Sequence, residues 1–218
     1  MYPIQYEADY IREPSRTSTF FRIFAVIPWL IVAYIYSVAV MVTALIAWFA
    51  LVIVGRYPEG LYNFNAGMLR FFLRVNAFTY LQTDQWPSFG IGEDPEYSVR
   101  IAVAPRADRQ SRAKVFFRLI LIVPVYVLAF LVGTVLQTVA VVAWLTIVFR
   151  GYQPRWVHET LAFTNAWTAR TTAYYLLLTD AYPPVGDDAP KQSPEAIETV
   201  PTPVTPMPPP APPAAPAA

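Results

Sequence analysis

The stretch IFAVIPWLIVAYIYSVAVMVTALIAWFALVIV, residues 23–54, decides the fold class of this 218-residue chain. It contains no Asp, Glu, Lys, Arg or His, and residues 119–149 form a second run without any of these residues. An uncharged, mostly apolar run much longer than about 18 residues is typical of a helix embedded in a bilayer. The two runs therefore predict a mainly α, integral membrane protein.

The rest of the composition excludes several kinds of site. Charged residues make up 14% of the chain, against roughly 25% in an ordinary soluble domain. The sequence has no cysteine, which excludes disulfides and thiolate chemistry, and its single histidine argues against a His-built metal site or a Ser-His-Asp triad. The net charge of +1 argues against nucleic acid as a partner. We therefore expect no enzyme activity, no cofactor and no metal.

A tandem duplication organises the chain. An offset of 96 residues pairs identical residue types, including charged ones that shared apolar composition would not match. The pairs include Phe20, Phe21 and Arg22 with Phe116, Phe117 and Arg118, Pro28 with Pro124, and Trp48 with Trp144. We expect one membrane repeat at residues 1–95 and a second at residues 96–186, packed about a pseudo-two-fold axis.

A Pro/Ala-rich tail follows the second repeat, at residues 187–218. Its composition disfavours both helix and sheet, so we expect a disordered, extended segment with polyproline II character. The tail either only keeps the chain soluble or presents a proline motif to a protein partner, and both interpretations stay open.

Each repeat is expected to consist of three parts. Residues 2–10 and 97–103 alternate apolar and polar side chains, as half-buried strands do, and two such strands should join in a small sheet at the membrane surface. The apolar run is the second part. The third part is an amphipathic helix at residues 61–83 and 157–179 that begins after Pro58 or Pro154. We expect this helix to be interfacial, and a helix packed against the apolar segments is the alternative.

The length of the apolar runs predicts how they sit in a bilayer. A 32-residue helix measures about 48 Å, whereas the hydrocarbon core is about 30 Å thick, so one straight helix would need an unusually large tilt. Basic residues flank both ends of each run, and a transmembrane helical hairpin places all of them, with both chain termini, on the cytoplasmic side. We predict multi-pass hairpins with turns near Ser37 and Gly133. A re-entrant loop that does not fully cross is the alternative.

The third helix of each repeat carries the candidate binding residues. The pattern Arg-x-x-Ala-aromatic, followed by Leu-x-Thr-Asp-x-aromatic-Pro, occurs in both repeats. It could bind a lipid headgroup or a partner, or each Asp could bond local backbone or pair with an arginine of its own repeat. The candidate residues are Arg70, Arg74, Asp84, Arg170 and Asp180. His158 is expected only to form a hydrogen bond at the interface, because it and Glu159 supply two metal ligands at most.

The motifs of the first repeat resemble a known family. Five residues separate Phe-Phe-Arg from Pro28, and Gly-Arg-Tyr-Pro-x-Gly-Leu spans residues 55–61. Leu-Arg-x-x-x-Arg-Val-Asn-Ala spans residues 69–77, and Leu-x-Thr-Asp-x-Trp-Pro spans residues 81–87. The chain thereby resembles bacterial membrane proteins grouped as domain of unknown function 4389. The second repeat departs from the pattern, with Gln153 and Thr172 where the first has Tyr57 and Asn76. The resemblance implies a membrane location but no activity.

These observations favour a non-catalytic protein of the cytoplasmic membrane that acts as a scaffold or accessory subunit. Its partners would be the lipid bilayer and a protein bound through the interfacial helices or the proline-rich tail, with no nucleic acid. The alternative is a lipid-binding or small-solute transport component. Neither apolar run contains an ionisable side chain, which argues against ion-coupled transport.

Overall fold

Seven elements of regular structure follow one another in the computed structural model, which describes residues 2–184. The predicted tail at residues 187–218 lies outside the described residues. In chain order the elements are β1 (Ile4–Ala8), α1 (Arg16–Ala25), α2 (Ile27–Val54), α3 (Glu59–Thr79), β2 (Val99–Val103), α4 (Arg112–Arg150) and α5 (Arg155–Tyr175). The chain is thus mainly helical, with one two-stranded sheet.

The predicted turns near Ser37 and Gly133 are wrong, because α2 and α4 run through both positions without interruption. A turn in the middle of an apolar run would leave backbone N–H and C=O groups without partners in hydrocarbon, whereas a continuous helix pairs all of them internally. One isolated serine or glycine does not end a helix. Neither apolar run is therefore a hairpin: the second run lies wholly within α4, and the first is divided between α1 and α2.

The hairpins of the molecule are formed instead between each long helix and the helix that follows it. Gly55 and Gly151, in the left-handed conformation with φ values of 76° and 80°, end α2 and α4 and turn the chain back. Successive contacts show that α3 runs antiparallel to the long helix: Thr43 bonds Asn65, Tyr36 packs on Phe71, and Trp29 packs on Phe78. In α5, Trp167 and Tyr174 lie against Val125 of α4.

The elements stack in three layers. The short helix α1 and the long helices α2 and α4 form one outer layer, α3 and α5 form the middle layer, and the sheet lies on α3 and α5 from the other side. The helices α3 and α5 are therefore packed between two layers, and each buries side chains on both of its faces. The sheet itself confirms the two predicted strands, which pair antiparallel from Ile4 opposite Val103 to Ala8 opposite Val99.

The two repeats exchange their strands. Strand β1 of the first repeat packs on α5 of the second, and β2 of the second repeat packs on α3 of the first. The Tyr62 hydroxyl donates to the Ala104 carbonyl at 2.6 Å, and His158 Nε2 lies 3.3 Å from the Ala8 carbonyl, which is the equivalent contact 96 residues along the chain. Each repeat thus completes the core of the other.

The helices α3 and α5 end four residues earlier than the sequence predicts. Leu81 and Leu177 both have a φ of 62°, in the left-handed region. In the first repeat the Gln82 N–H bonds the Ala77 carbonyl and the Leu81 N–H bonds the Phe78 carbonyl, which is the Schellman pattern of a helix C-terminus. A left-handed leucine costs roughly 1–2 kcal/mol. Burial of both leucine side chains offsets this strain.

The prolines of the two long helices have different effects. In the first repeat the helix is interrupted at Val26, and Pro28 stands in the first turn of α2, a position that tolerates proline. In the second repeat Pro124 lies inside the continuous helix α4. Equivalent prolines thus stand in the first turn of a helix in one repeat and inside a helix in the other.

The long helices leave one whole face uncovered. Helix α2 and residues Ile120–Arg150 of α4 are long and apolar enough to cross a membrane. Only 17% of the most apolar 18-residue stretch of α2, and 11% of the corresponding stretch of α4, is buried inside the molecule. A core helix of a soluble protein would be mostly buried, so this layer of the molecule is exceptionally exposed for its composition.

Candidate functional site

Two buried arginines of equivalent position organise the junctions between helices. Arg22, which is 3% exposed, donates to the carbonyls of Phe78 at 3.0 Å and Thr83 at 2.9 Å, and pairs with Asp84. Its guanidinium also lies 4.5 Å from the centroid of the Phe78 ring. The arginine therefore fastens the start of the long helix to the C-terminal end of α3, and we call this group the Arg22 node.

The second repeat contains the same arrangement, the Arg118 node. Arg118 donates to the Tyr174 carbonyl at 3.2 Å and to Asp180 at 2.9 Å, and its guanidinium lies 4.3 Å from the centre of the Tyr174 ring. Burial lowers the pKa of both Arg22 and Arg118, while the neighbouring carboxylates oppose that shift.

The second oxygen of each carboxylate holds the start of a long helix. Asp84 accepts from the Ser15 N–H at 2.8 Å, and Asp180 accepts from the Ser111 N–H at 3.1 Å. Ser15 and Ser111 are the N-caps of α1 and α4, so each carboxylate stands at the positive end of a helix dipole. The two aspartates, predicted as possible headgroup ligands, are thus bonded to an arginine and a backbone amide of their own repeat.

Arg70 and Arg74 lie together on α3 and line an open cleft of about 250 Å³. The cleft is bounded by Glu93 and Asp94 on the loop before β2 and by Arg100 on β2. Arg70 pairs with Glu93 at 2.7 Å. The cleft therefore presents both signs of charge to solvent, and it is where the structure brings two predicted site residues together.

Arg74 is bonded to the loop that closes this cleft. It donates to Ser88 Oγ at 2.7 Å and to the carbonyls of Gly90, at 3.1 Å, and Gly92. Burial lowers its pKa, while the nearby Asp94 carboxylate raises it. The loop approaches α3 so closely that a Cβ on Gly67 would lie 2.8 Å from the Ile91 carbonyl oxygen. Arg74 thus shapes the cleft wall rather than reaching into solvent.

Arg170 stands apart from the other four predicted site residues. It is 5% exposed, and its guanidinium lies 5.9 Å from the centre of the Tyr2 ring. The predicted residues are therefore distributed over the Arg22 node, the Arg118 node, the cleft and the Tyr2 contact. They do not form one site.

The sequence prediction missed a buried polar network between the repeats. Asn76 donates to Asn165 at 2.8 Å, and Asn165 donates to Gln82 at 2.5 Å. The Tyr6 hydroxyl donates to the same Gln82 side-chain oxygen. This network connects α3, α5 and β1, and no sequence signal marks it because its members do not recur at the repeat offset. The nodes, in contrast, were signalled by the recurrence of Phe-Phe-Arg.

His158 occupies a buried position against the sheet. Its ring packs edge-on against Tyr10 with centroids 5.1 Å apart, and burial lowers its pKa below the usual value. Its Nε2 lies within hydrogen-bond distance of the Ala8 carbonyl at the end of β1, in agreement with the hydrogen-bonding role expected for this residue. Within residues 2–184, no group of three or more His, Cys, Asp or Glu side chains is arranged to hold a metal ion.

The comparison with protein families agrees with the tandem architecture. The family model described as "Domain of unknown function (DUF4389)" matches the chain twice, at residues 16–90 and 112–185. The matches begin at the first residues of α1 and α4, and each includes the Arg and the Asp of its node. No curated protein and no solved structure matches the chain. The chain belongs to the DUF4389 family and carries two tandem copies of its domain.

Proposed function

We propose that the chain is a non-catalytic protein of the cytoplasmic membrane that acts as a scaffold or accessory subunit. The uncovered apolar layer of α1, α2 and α4 would be held in the membrane, and the middle layer and sheet would be presented to the cytoplasm. The single observation that carries the proposal is the contrast between this apolar layer and the charged outer face of the sheet.

The size of the apolar layer supports a membrane environment. Tyr34 on α2 and Phe130 on α4 are each 73% exposed, and many large apolar neighbours are also exposed along both helices. Removing one such side chain from water is worth about 1.5–3 kcal/mol, and a whole domain is stable by only about 5–15 kcal/mol. In hydrocarbon, unlike in water, so many exposed apolar side chains carry no free-energy cost of hydration.

The polar side supports presentation to a partner rather than catalysis. The ionisable side chains that the structure brings together mostly form salt bridges with one another, in the Arg22 node, the Arg118 node and the Arg70–Glu93 pair. No described side chain in these groups is a nucleophile activated by a neighbouring base. The outer face of the sheet and the adjacent cleft are charged and exposed, as binding surfaces are.

Fractionation of the full-length chain tests the membrane part of the proposal. We expect the protein in the membrane pellet, resistant to alkaline carbonate extraction and floating with vesicles in a density gradient. Recovery in the soluble fraction without detergent would contradict the proposal. Native mass spectrometry of the gently extracted protein tests the scaffold part, and a defined protein in the complex is the expected result.

A lipid-headgroup site is a second candidate function, and the cleft is the observation that favours it. Arg70 and Arg74 line a solvent-open cleft, and arginine pairs readily with phosphate. If the cleft binds a headgroup, the extracted protein retains anionic lipid, and Arg70→Gln releases it. Arg155→Gln, a change in another surface arginine that also pairs with a glutamate, is the matched control.

A further inference from the structure

We infer that α2 and α4 lie in the plane of one membrane leaflet instead of crossing the bilayer. This inference rests on the proposed membrane location and specifies the surface that meets lipid. The lipid-contacting surface is the uncovered side of α1, α2 and α4 along their full length. The sheet, on the opposite side of the molecule, faces the cytoplasm.

The first support is the one-sided burial of the long helices. In α2, buried or half-buried positions recur every three or four residues from end to end, and Val40, Ala47 and Leu51 lie on that stripe. The same spacing runs through α4, with Val125, Leu136 and Ala143 on its buried stripe. Each long helix therefore has one side that packs on α3 or α5 and one continuous apolar side that can contact lipid along its whole length.

The second support is length. At 1.5 Å per residue, the 28 residues of α2 measure about 42 Å and the 39 residues of α4 about 58 Å. The hydrocarbon core is only about 30 Å thick, so α4 upright would extend far beyond it. Helices that lie in the membrane plane have no such limit on length.

The third support is the position of the charged strand face. Arg100 forms salt bridges with Asp9 at 2.9 Å and with Glu7 at 3.5 Å, and all three side chains are 41–47% exposed. If α2 stood upright, these charges would lie at the side of the molecule, at the depth of the bilayer. Charged side chains exposed to hydrocarbon are strongly disfavoured. With the helices in the plane, the same side chains lie in water.

The contacts of β2 show at which point along the long helices these charged side chains lie. Near one end of β2, Ser98 Oγ lies 2.6 Å from Thr83 Oγ1, and at the other end Ala104 accepts from Tyr62. The strand therefore extends along α3, which itself lies along the central part of α2. The charges of the sheet stand over the middle of the long helices and not beyond either end.

The fourth support is the distribution of cations. Arg16 donates to the Arg150 carbonyl at 3.1 Å, and Arg112 donates to the Val54 carbonyl at 3.2 Å. Each end of the helix layer thus carries exposed arginines that bind the last carbonyls of a long helix. In the plane, both ends lie on one face of the membrane. This satisfies the positive-inside rule with no turn in either apolar run.

Sided labelling of single cysteines tests the inference, because the natural sequence contains no cysteine. Glu13→Cys and Glu59→Cys place a thiol at exposed positions beyond opposite ends of the α1–α2 segment, and Ala102→Cys places one on the outer side of β2. Ser37→Cys places one on the bare side of α2. A membrane-impermeant maleimide is added either to spheroplasts or to inverted membrane vesicles that contain the full-length chain.

We expect the Glu13, Glu59 and Ala102 variants to be labelled at least tenfold more in inverted vesicles than in spheroplasts. The Ser37 variant should be labelled in neither preparation until detergent is added. The in-plane orientation would be overturned if the Glu13 and Glu59 variants were labelled from opposite sides of the membrane, or if the Ser37 variant were labelled in spheroplasts. Either result would leave the membrane location unaffected. A chain that is missing from the membrane fraction would refute the proposed function itself.

Discussion

The two outer faces of the molecule differ in what they leave uncovered. The helix face exposes aromatic and aliphatic side chains along α1, α2 and α4, and the sheet face exposes the ion pairs of Arg100. Both faces cover the same middle layer, α3 and α5. The chain thus presents one apolar and one charged outer surface on opposite sides of α3 and α5. A substitution on one surface should therefore have a different effect from the same substitution on the other.

The largest effect should follow from separating the repeats. Residues 1–95 lack β2, and residues 96–184 lack β1, so each fragment loses the strand that covers its own middle helix. We expect neither fragment alone to unfold cooperatively in detergent micelles, as followed by circular dichroism. Co-expression of the two fragments should restore a cooperative transition. A fragment that folds alone would show that the strand exchange is dispensable.

A charge on the helix face should be more damaging than the same charge on the sheet face. An aspartate costs about 2.5–3.5 kcal/mol at the centre of a membrane and less nearer its surface, so Met41→Asp with Phe130→Asp, in helices that lie in one leaflet, should cost at most about 5–7 kcal/mol. We expect the amount of membrane-bound, protease-resistant chain to fall at least tenfold. Ala102→Asp, on the exposed side of β2, is the matched control and should leave that amount unchanged. Equal losses from both faces would remove the distinction between them.

Breaking a node should have the next largest effect. Arg22→Met leaves the Phe78 and Thr83 carbonyls without their donor and Asp84 without its cation. Because Asp84 is 28% exposed and partly screened by solvent, we expect a loss of about 2–3 kcal/mol in the free energy of unfolding in micelles.

Two further variants make the node experiment specific. Arg118→Met should cost a similar or somewhat smaller amount, since the second node shares the arginine–aspartate pair and the bond to the carbonyl of the aromatic residue. Arg70→Met removes an ion pair whose carboxylate partner is 76% exposed, and it should cost less than about 1 kcal/mol. A larger loss from the Arg70 variant than from the Arg22 variant would refute the structural role of the nodes.

The smallest effect should be a pH dependence that arises at His158. Its pKa is lowered in the folded state by burial, so the unfolded chain binds this proton more readily. Stability should therefore be complete above the usual histidine pKa of about 6.5 and fall as the pH drops below it. Unfolding midpoints from pH 8 to pH 5 measure this, and His158→Gln should flatten that part of the profile. An unchanged slope in the variant would exclude His158 as its source.

The sequence predicted the parts of the fold that follow from local pattern and repetition. Alternation identified β1 and β2, and the need of lone strands for a partner predicted that they pair. The family resemblance and the duplication were both confirmed by the two family matches. The recurrence of Asp84 and Asp180 also marked residues that prove to be central to the nodes.

The parts that the sequence could not predict depend on which surfaces meet. The apolar runs are uniformly hydrophobic, so no periodicity marks the side of α2 that packs on α3. The prediction instead placed turns at Ser37 and Gly133 to bring all cations to one side. Likewise, the offset of 96 residues relates β1 to β2 but does not say on which repeat each strand packs. Only the folded contacts show the exchange.

The orientation of the helices in a bilayer tests the central claim most directly. All five described helices pack in two neighbouring layers, with α3 antiparallel to α2, so one measurement reports on most of the helical chain. Polarised infrared spectroscopy of the amide I band in aligned bilayers gives the mean angle between helix axes and the membrane normal. We predict axes close to the membrane plane. A dichroism that places the axes along the normal would contradict the account.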